Sequence, residues 1–303
     1  MIFITQTALE LGFMYALVSM ALFLSYRVLD IADLTTDGSF VLGMAVSVSL
    51  AAAGHPFLAV PAAMLAGAAA GFVTAFLQTK MGVPSILAGI VTNTGLYTVN
   101  LMAMGWSSNV NLLKQETIFS LFRKTGIGRG WYEFVLAAVV VAAAGLFLVW
   151  FLGTRLGLSI RATGDNRDMV RASSVNPVFT VTVGLCISNA LTALSGAVVG
   201  QLQKSADIGG GTGIVVVGLA CLIIGETVIG RGSVKRGILA VVAGSVIYRF
   251  IYAVVLKTKI VPIDCLKLVT ALIVALAIAA PTLKAYAALR KRIWAASRKK
   301  GGR

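Results

Sequence analysis

Residues 132 to 153 read YEFVLAAVVVAAAGLFLVWFLG, and residues 154 to 177 continue as TRLGLSIRATGDNRDMVRASSVNP. After Glu133 the first stretch contains no charged residue, and its length suits a helix that crosses a hydrocarbon core of about 30 Å. The second stretch contains four arginines, Arg155, Arg161, Arg167 and Arg171. Because short cytoplasmic loops of membrane proteins are enriched in lysine and arginine, this junction predicts a transmembrane helix that ends in the cytoplasm.

The composition of the whole chain agrees with a membrane protein. Of 303 residues, 58% are hydrophobic and 12% are charged, whereas soluble domains carry about 25% charged residues. So few charges cannot cover a water-facing surface, which disfavours a soluble enzyme, a disordered chain and a disulfide scaffold. The net charge of +15 is spread over short connectors, so it does not indicate nucleic-acid binding. The sequence therefore predicts an all-α fold, a polytopic transmembrane helical bundle.

The apolar runs predict about nine membrane segments, each near the 20 residues that a membrane-spanning helix needs. They lie near residues 5–26, 35–53, 57–79, 84–105, 132–153, 178–203, 214–230, 238–256 and 264–283. The distribution of basic residues places the C-terminus in the cytoplasm and the N-terminus outside. We expect a transmembrane domain over 1–285, with 154–177 cytoplasmic, and a basic cytoplasmic tail over 286–303. The connector 106–131 carries basic residues although the predicted topology places it outside. A re-entrant helix and an interfacial helix are the two alternatives for this connector.

Two segments resemble each other and indicate a weak inverted repeat. Residues 32–43, ADLTTDGSFVLG, and residues 206–218, ADIGGGTGIVVVG, share a start and a glycine-containing turn before an apolar run. In the predicted topology the first copy enters the membrane from inside and the second from outside. Such segments are typical of interrupted helices whose free backbone groups line a cavity, and chance similarity is the alternative.

Small residues at helical spacing predict close contact between helices. The sixth predicted span carries such a stripe, and shorter ones occur in the second and third spans. The positions are Gly184, Ser188, Thr192, Gly196 and Gly200, then Ser39, Gly43, Ser47 and Ala51, then Gly67 and Gly71.

The basic segment 154–177 is longer than a helix hairpin requires. We expect Gly164 to break the chain and Asp165 to cap a short amphipathic helix over about 166–174. Arg167 and Arg171 would then lie on one side of this helix. A short helix across the cytoplasmic end of a bundle is a suitable docking site for a soluble partner.

This segment resembles the cytoplasmic coupling segment of ATP-binding cassette (ABC) importer permeases, in the superfamily that includes the branched-chain amino acid and ribose permeases. Two further stretches resemble the same family, residues 12–44 and residues 218–248. The resemblance implies that the segment forms a coupling helix that contacts an ATPase. The residues expected to do so are Gly157, Arg161, Gly164, Asp165, Asn166, Arg167, Met169 and Arg171.

The same resemblance implies a non-catalytic translocation subunit in the bacterial cytoplasmic (inner) membrane. Two permease copies, expected to form a homodimer, would enclose a pathway, with ABC ATPase subunits below and an extracytoplasmic substrate-binding protein above. ATP and Mg would belong to the ATPase, because no GxxxxGK[ST] motif occurs in this chain. Where relatives have a Gly pair, the chain has Gly225-Glu226. Together with Asp33 and Asp37 near the second span, this departure resembles the tryptophan/tyrosine-type subgroup more than the sugar permeases and favours an amino-acid-like solute.

Polar residues inside predicted spans are the candidates for the pathway, because they more often face an interior than lipid. Asn93, Tyr97 and Asn100 follow helical spacing in the fourth span, and Asn189 lies in the sixth. Hydrogen bonding between helices is the rival interpretation of these side chains.

Glu226 and Arg249 are charges in apolar surroundings, expected to form a structural ion pair between neighbouring helices or with Arg231. Solute or proton handling by these two groups is the alternative. The chain has one histidine, His55, and no clustered cysteines, so no metal site is expected.

Three other interpretations of function remain open. A stand-alone secondary transporter would also suit nine helices and an inverted repeat. An ABC permease for a sugar would share all the features above. An intramembrane enzyme is disfavoured, because paired catalytic groups do not occur at a recognisable spacing.

Overall fold

A computed structural model of the chain describes residues 2–113, 115–124, 131–230 and 232–258, and isolated positions between 268 and 290. The continuous ranges hold eleven α-helices and two short strands. The helices are α1 (Ile2–Leu22, continued by a π-helical turn Phe23–Val28), α2 (Thr36–Ala52), α3 (Pro56–Thr79), α4 (Ser85–Ala103), α5 (Ile118–Lys124), α6 (Tyr132–Gly153), α7 (Arg155–Asp165), α8 (Arg167–Ala172), α9 (Pro177–Gln203), α10 (Ile214–Ile229) and α11 (Val234–Thr258). The strands are β1 (Asn109–Asn111) and β2 (Ser205–Asp207).

Eight of the predicted membrane segments coincide with helices to within about four residues. In the described part of the chain, six helices are long and apolar enough to cross a membrane, and α2 and α10 are shorter apolar helices. The ninth predicted segment, 264–283, lies outside the described residues except for isolated positions, and the tail 286–303 lies outside them except for Arg290. A polytopic helical bundle is therefore confirmed, and the count of nine stays a prediction.

The helix α9 lies at the centre of the bundle and packs against α1, α2 and α3. Glycines make this packing possible, because a Cβ at Gly43 or Gly67 would collide with the backbone of α9 at Ala193 or Asn189. A Cβ at Gly196 would likewise collide with the carbonyl oxygen of Phe40. The small-residue stripes predicted from the sequence are thus confirmed as helix contacts.

The two short helices α2 and α10 begin inside the bundle. The first turn of α2 is level with the middle of the 27-residue α9, because Ser39 Oγ donates a 2.6 Å hydrogen bond to Asn189 Oδ1. The start of α10 lies beside the same turn of α2, in hydrogen-bond contact with Asp37. The non-helical chain before each of them overlaps the beginning of one of the two similar segments, 32–43 and 206–218. The symmetry of an inverted repeat stays a prediction.

A two-stranded ribbon, which the all-α prediction did not include, joins the connector 106–131 to the end of α9. Strand β1 pairs antiparallel with β2, with Val110 opposite Ala206. The backbone N–H of Ile118, at the start of α5, also donates to Gln201 Oε1 at 2.9 Å. Three-residue strands have little signal of their own, since their stability comes from a partner distant in sequence. In its described residues the connector holds β1 and the seven-residue α5.

Candidate functional site

A polar cavity of about 340 Å³ lies between α2, α4 and the turn that precedes α10. It contains three of the four polar residues predicted to line a pathway, and it adds residues from the start of α2 and from the turn before α10. The side chains and backbone that matter below are Asp37, Gly38, Asn93, Tyr97, Asn100 and Thr212. The three α4 residues thus line one cavity, and their role in a pathway stays a prediction.

Asp37 connects the two short helices at this cavity. Its Oδ2 accepts a 3.0 Å hydrogen bond from the backbone N–H of Gly213, and its Oδ1 accepts a 2.8 Å bond from that of Val215. A carboxylate in this position satisfies the unpaired N–H groups of the first turn and opposes the positive end of the helix dipole. Gly213 has φ +83°, a left-handed conformation that favours glycine at this turn.

The α4 residues differ in how much hydrogen bonding they already have. Asn100 is 2% exposed, and its Nδ2 donates to the carbonyl of Gly38 at 3.2 Å. Its Oδ1 is buried without a hydrogen-bond partner. Tyr97 is 55% exposed. Asn100 thus joins α4 to α2, as the rival interpretation expected, and it also keeps a free acceptor.

Asn189 does not line this cavity. It is fully buried, and its Nδ2 donates to Asp33 Oδ2 at 2.7 Å, while its Oδ1 accepts from Ser39. Asp33 Oδ1 in turn accepts from the backbone N–H of Thr35 at 2.9 Å. This network holds the start of α2 behind the cavity wall. Sequence reasoning did not name Asp33 or Asp37 as site residues, although an aspartate just before or within a first helical turn is a signal of capping.

The basic segment forms two short helices, α7 and α8, and two expectations about it were wrong. Gly164 does not break the chain but lies in the last turn of α7, where a Cβ would collide with the carbonyl of Val28. Asp165 does not cap α8. The cap is Asn166, whose Oδ1 accepts hydrogen bonds from the backbone N–H groups of Asp168 and Met169, both at 3.0 Å. The side-chain oxygen of Asn166, the residue directly before the first turn of α8, is close enough to accept from the N–H groups of that turn.

The predicted coupling residues divide into an anchored set and an exposed set. Gly157 is buried, and a Cβ there would collide with the backbone of Phe151 and Leu152. Thr163, which is not one of the predicted residues, also anchors the segment, because its Oγ1 lies 2.8 Å from Thr180 Oγ1 and joins α7 to α9. The exposed residues are Arg161, Asp165, Asn166, Arg167, Met169 and Arg171. Basic groups and a half-exposed methionine on a held pair of helices can serve as a docking surface.

Glu226 forms an ion pair between neighbouring helices with Arg27, a partner that the sequence did not identify. Its Oε1 lies 3.1 Å from Arg27 Nε, and Glu226 itself is buried. The pair lies in a polar cavity that also contains Arg161 and Asp165 of α7. It therefore joins the ends of α1 and α10 beside the basic segment. Arg231, an expected partner, lies outside the described residues.

Arg249 contacts aromatic rings instead. Its guanidinium carbon lies 3.7 Å from the ring centroid of Tyr15 and 5.7 Å from that of Tyr252. The sequence contains no signal for this arrangement, because the three residues lie on two helices at opposite ends of the chain.

Comparisons with known proteins agree with this architecture. Residues 4–280 match the family model "Branched-chain amino acid transport system / permease component". The chain is 32% identical over 260 residues to the tyrosine transport system permease protein of Clostridioides difficile (strain R20291), covering 86% of this chain and 85% of that protein.

Two further groups of relatives transport other solutes. The ribose import permease protein RbsC of Escherichia coli (strain K12) is 28% identical over 225 residues, which cover 72% of this chain and 67% of that protein. The autoinducer 2 import system permease protein LsrC of Escherichia coli O9:H4 (strain HS) is 29% identical over 167 residues, 54% of this chain and 46% of that protein. No solved structure matches the chain. Because the family model covers nearly all of a bundle with several apolar helices, this multi-pass membrane protein belongs to the branched-chain amino acid transport system permease family.

Proposed function

We propose that this chain is the membrane-spanning permease subunit of an ATP-driven importer for a small amino-acid-like solute. An extracytoplasmic binding protein would deliver the solute, and separate ABC ATPase subunits would bind from the cytoplasm. The observation that carries the proposal is the α7–α8 segment, which is anchored through Gly157, Gly164 and Thr163 and exposes basic side chains and Met169.

The anchoring of this segment supports a mechanical role. Gly164 packs directly on the carbonyl of Val28, at the end of α1, and the Arg27–Glu226 ion pair lies in the next cavity along. A displacement of α7 by an ATPase would therefore act on the ends of α1 and α10. Because α10 begins at the polar cavity, such a displacement can bias which end of a pathway is open.

The polar cavity supports the proposal that a solute passes through this bundle. It combines the phenol of Tyr97, the amide of Asn93 and the unpaired Oδ1 of Asn100 with the junction of two helix starts. A second permease copy, expected as a homodimer, would complete the pathway. The name of the tyrosine permease relative favours an amino-acid-like solute, whereas the ribose permeases support a sugar as the alternative.

Co-purification with the ATPase tests the coupling role. The full chain, expressed with its membrane partners, should retain an ATPase subunit, and Arg167→Glu should reduce that retention severalfold, because it reverses a charge on the exposed docking surface. Arg123→Glu on α5 makes the same charge change on an exposed arginine of another connector and should have no effect.

Two results would overturn the proposal. One is that neither Arg167→Glu nor Arg123→Glu reduces the retention of the ATPase. The other is solute accumulation by the lone chain in vesicles without ATP, which would favour a stand-alone secondary transporter. Uptake assays with L-tyrosine and D-ribose would separate the amino-acid and sugar alternatives.

A further inference from the structure

A second cavity, of about 450 Å³, lies between α1, α10 and α11. It shares Thr212 with the polar cavity described above, and its other walls include Gly213, Tyr15, Tyr248, Arg249 and Tyr252. We refer to these five residues and Thr212 as the arginine chamber. Its volume lies within the range of about 300–1,000 Å³ typical of small-molecule sites.

Arg249 is a cation with unused hydrogen-bonding capacity in this chamber. It belongs to α11, a helix long and apolar enough to cross a membrane. Neither ion pair among the described residues includes Arg249, and its buried Nε has no hydrogen-bond partner. A cation within a membrane-spanning helix is costly unless it is compensated, and the contact with the Tyr15 ring compensates it only in part. A planar guanidinium with five N–H donors matches a carboxylate best.

Tyr248 supplies an independent observation of the same kind. It is 2% exposed and lines the chamber, and its buried hydroxyl has no hydrogen-bond partner. Buried polar groups are normally satisfied, so an unsatisfied hydroxyl and an unsatisfied guanidinium nitrogen on the lining of one chamber favour an acceptor in that space in the functional state. Val216 and Val217 form an apolar part of the same wall.

We propose that the arginine chamber binds the carboxylate of the imported solute, with Arg249 N–H groups and the Tyr248 hydroxyl donating hydrogen bonds to its oxygens. The apolar wall would contact the remainder of the solute, so the chamber selects a small carboxylate with an apolar or aromatic body and rejects a neutral sugar. This inference rests on the proposed import function for the origin of the solute.

Binding to the full chain in nanodiscs of neutral phosphatidylcholine tests the inference. The probes are three amino acids, L-tyrosine, L-leucine and L-valine, each compared with its own amide, which differs only at the carboxylate. D-ribose is the neutral probe. At least one acid should bind about 10- to 100-fold more tightly than its amide, the range expected for hydrogen bonds to a charged group. Arg249→Gln should abolish that ratio, and Tyr248→Phe should reduce it while the ring remains.

Two further variants separate recognition from folding. Arg249→Lys keeps the charge but loses the forked donors, so it should fold and retain part of the preference for the acid. Lys235→Gln removes an exposed positive charge from the same helix α11 and should bind like the unchanged chain. An unchanged acid-to-amide ratio in Arg249→Gln, or the absence of binding by all three acids, would overturn the inference.

An anionic lipid is the other source of an oxyanion, and a second arm addresses it. Native mass spectrometry after reconstitution with phosphatidylglycerol would reveal retained lipid. If retention of the lipid depends on Arg249 and solute binding does not, the chamber binds lipid, and the inference is overturned. Retention of an ATPase with no acid preference removes only this inference. An Arg249-dependent acid preference without any ATPase partner removes only the importer proposal.

Discussion

Asp37, in the first turn of α2, caps the helix α10, which begins 177 residues later at Ile214, because its Oδ1 accepts a 2.8 Å hydrogen bond from the backbone N–H of Val215. The same carboxylate accepts from Gly213. One side chain thus holds the starts of two short helices together at the edge of the polar cavity.

Removal of this cap should destabilise the bundle. Asp37→Ala leaves the N–H groups of Gly213 and Val215 unsatisfied, and we expect a loss of about 0.5–2 kcal/mol in the free energy of unfolding. Asp37→Asn keeps an acceptor oxygen and should recover part of the loss. Denaturant unfolding of the detergent-solubilised chain measures both. Equal stability of Asp37→Ala and the unchanged chain would show that the cap contributes nothing.

Enlarging Gly164 should separate α7 from the end of α1. In Gly164→Ala the new methyl group meets the carbonyl of Val28, and such overpacking costs about 1–3 kcal/mol. Stimulation of the ATPase by the solute-loaded binding protein should also fall in this variant, because α7 can no longer pack on α1. The matched control is Gly153→Ala, where a Cβ meets open space. If the two variants gave the same ATPase activity, the close contact at Gly164 would have no role in coupling.

The cap of α8 should depend on Asn166 and not on Asp165. Asn166→Ala removes the acceptor for the N–H groups of Asp168 and Met169, which should weaken α8 by about 1 kcal/mol and reduce ATPase affinity about fivefold. Asn166→Asp keeps the acceptor and should remain close to the unchanged chain. Asp165→Ala should change α8 little. Titration of the purified ATPase onto the reconstituted permease gives the affinities, and an unchanged affinity in Asn166→Ala would show that this cap does not support docking.

The Arg27–Glu226 ion pair should contribute measurably although one partner is half-exposed. Arg27→Gln leaves Glu226 buried without this cation, and we expect a loss of about 1–2 kcal/mol, less than the roughly 3–5 kcal/mol of a fully buried pair because solvent screens Arg27. Arg27→Lys should restore most of it. A double-mutant cycle with Glu226→Gln isolates the pair, and a coupling energy of zero would remove the ion pair from the account of stability.

The boundaries of the helices were largely predictable because hydropathy is a local property. Eight predicted segments agree with helices, and even the Asn93–Tyr97–Asn100 face follows from helical spacing alone. The partners of polar groups were not predictable in the same way. Glu226 pairs with Arg27 of α1, and Asn189 bonds Asp33, because folding brings together helices that are far apart in the sequence.

By itself, then, the amino-acid sequence determined a helical membrane bundle, the small-residue faces on which α9 packs and an exposed basic segment after α6. Each of these follows from the period and composition of short stretches. Only the tertiary structure decided that α2 and α10 meet at Asp37, that Asn166 caps α8 and that β1 pairs with β2. It also decided that Arg249 lies among tyrosines without a carboxylate partner among the described residues. The reason is that hydrogen bonds and ion pairs act over a few ångströms in space, and a linear sequence does not specify which distant residues will be separated by so little.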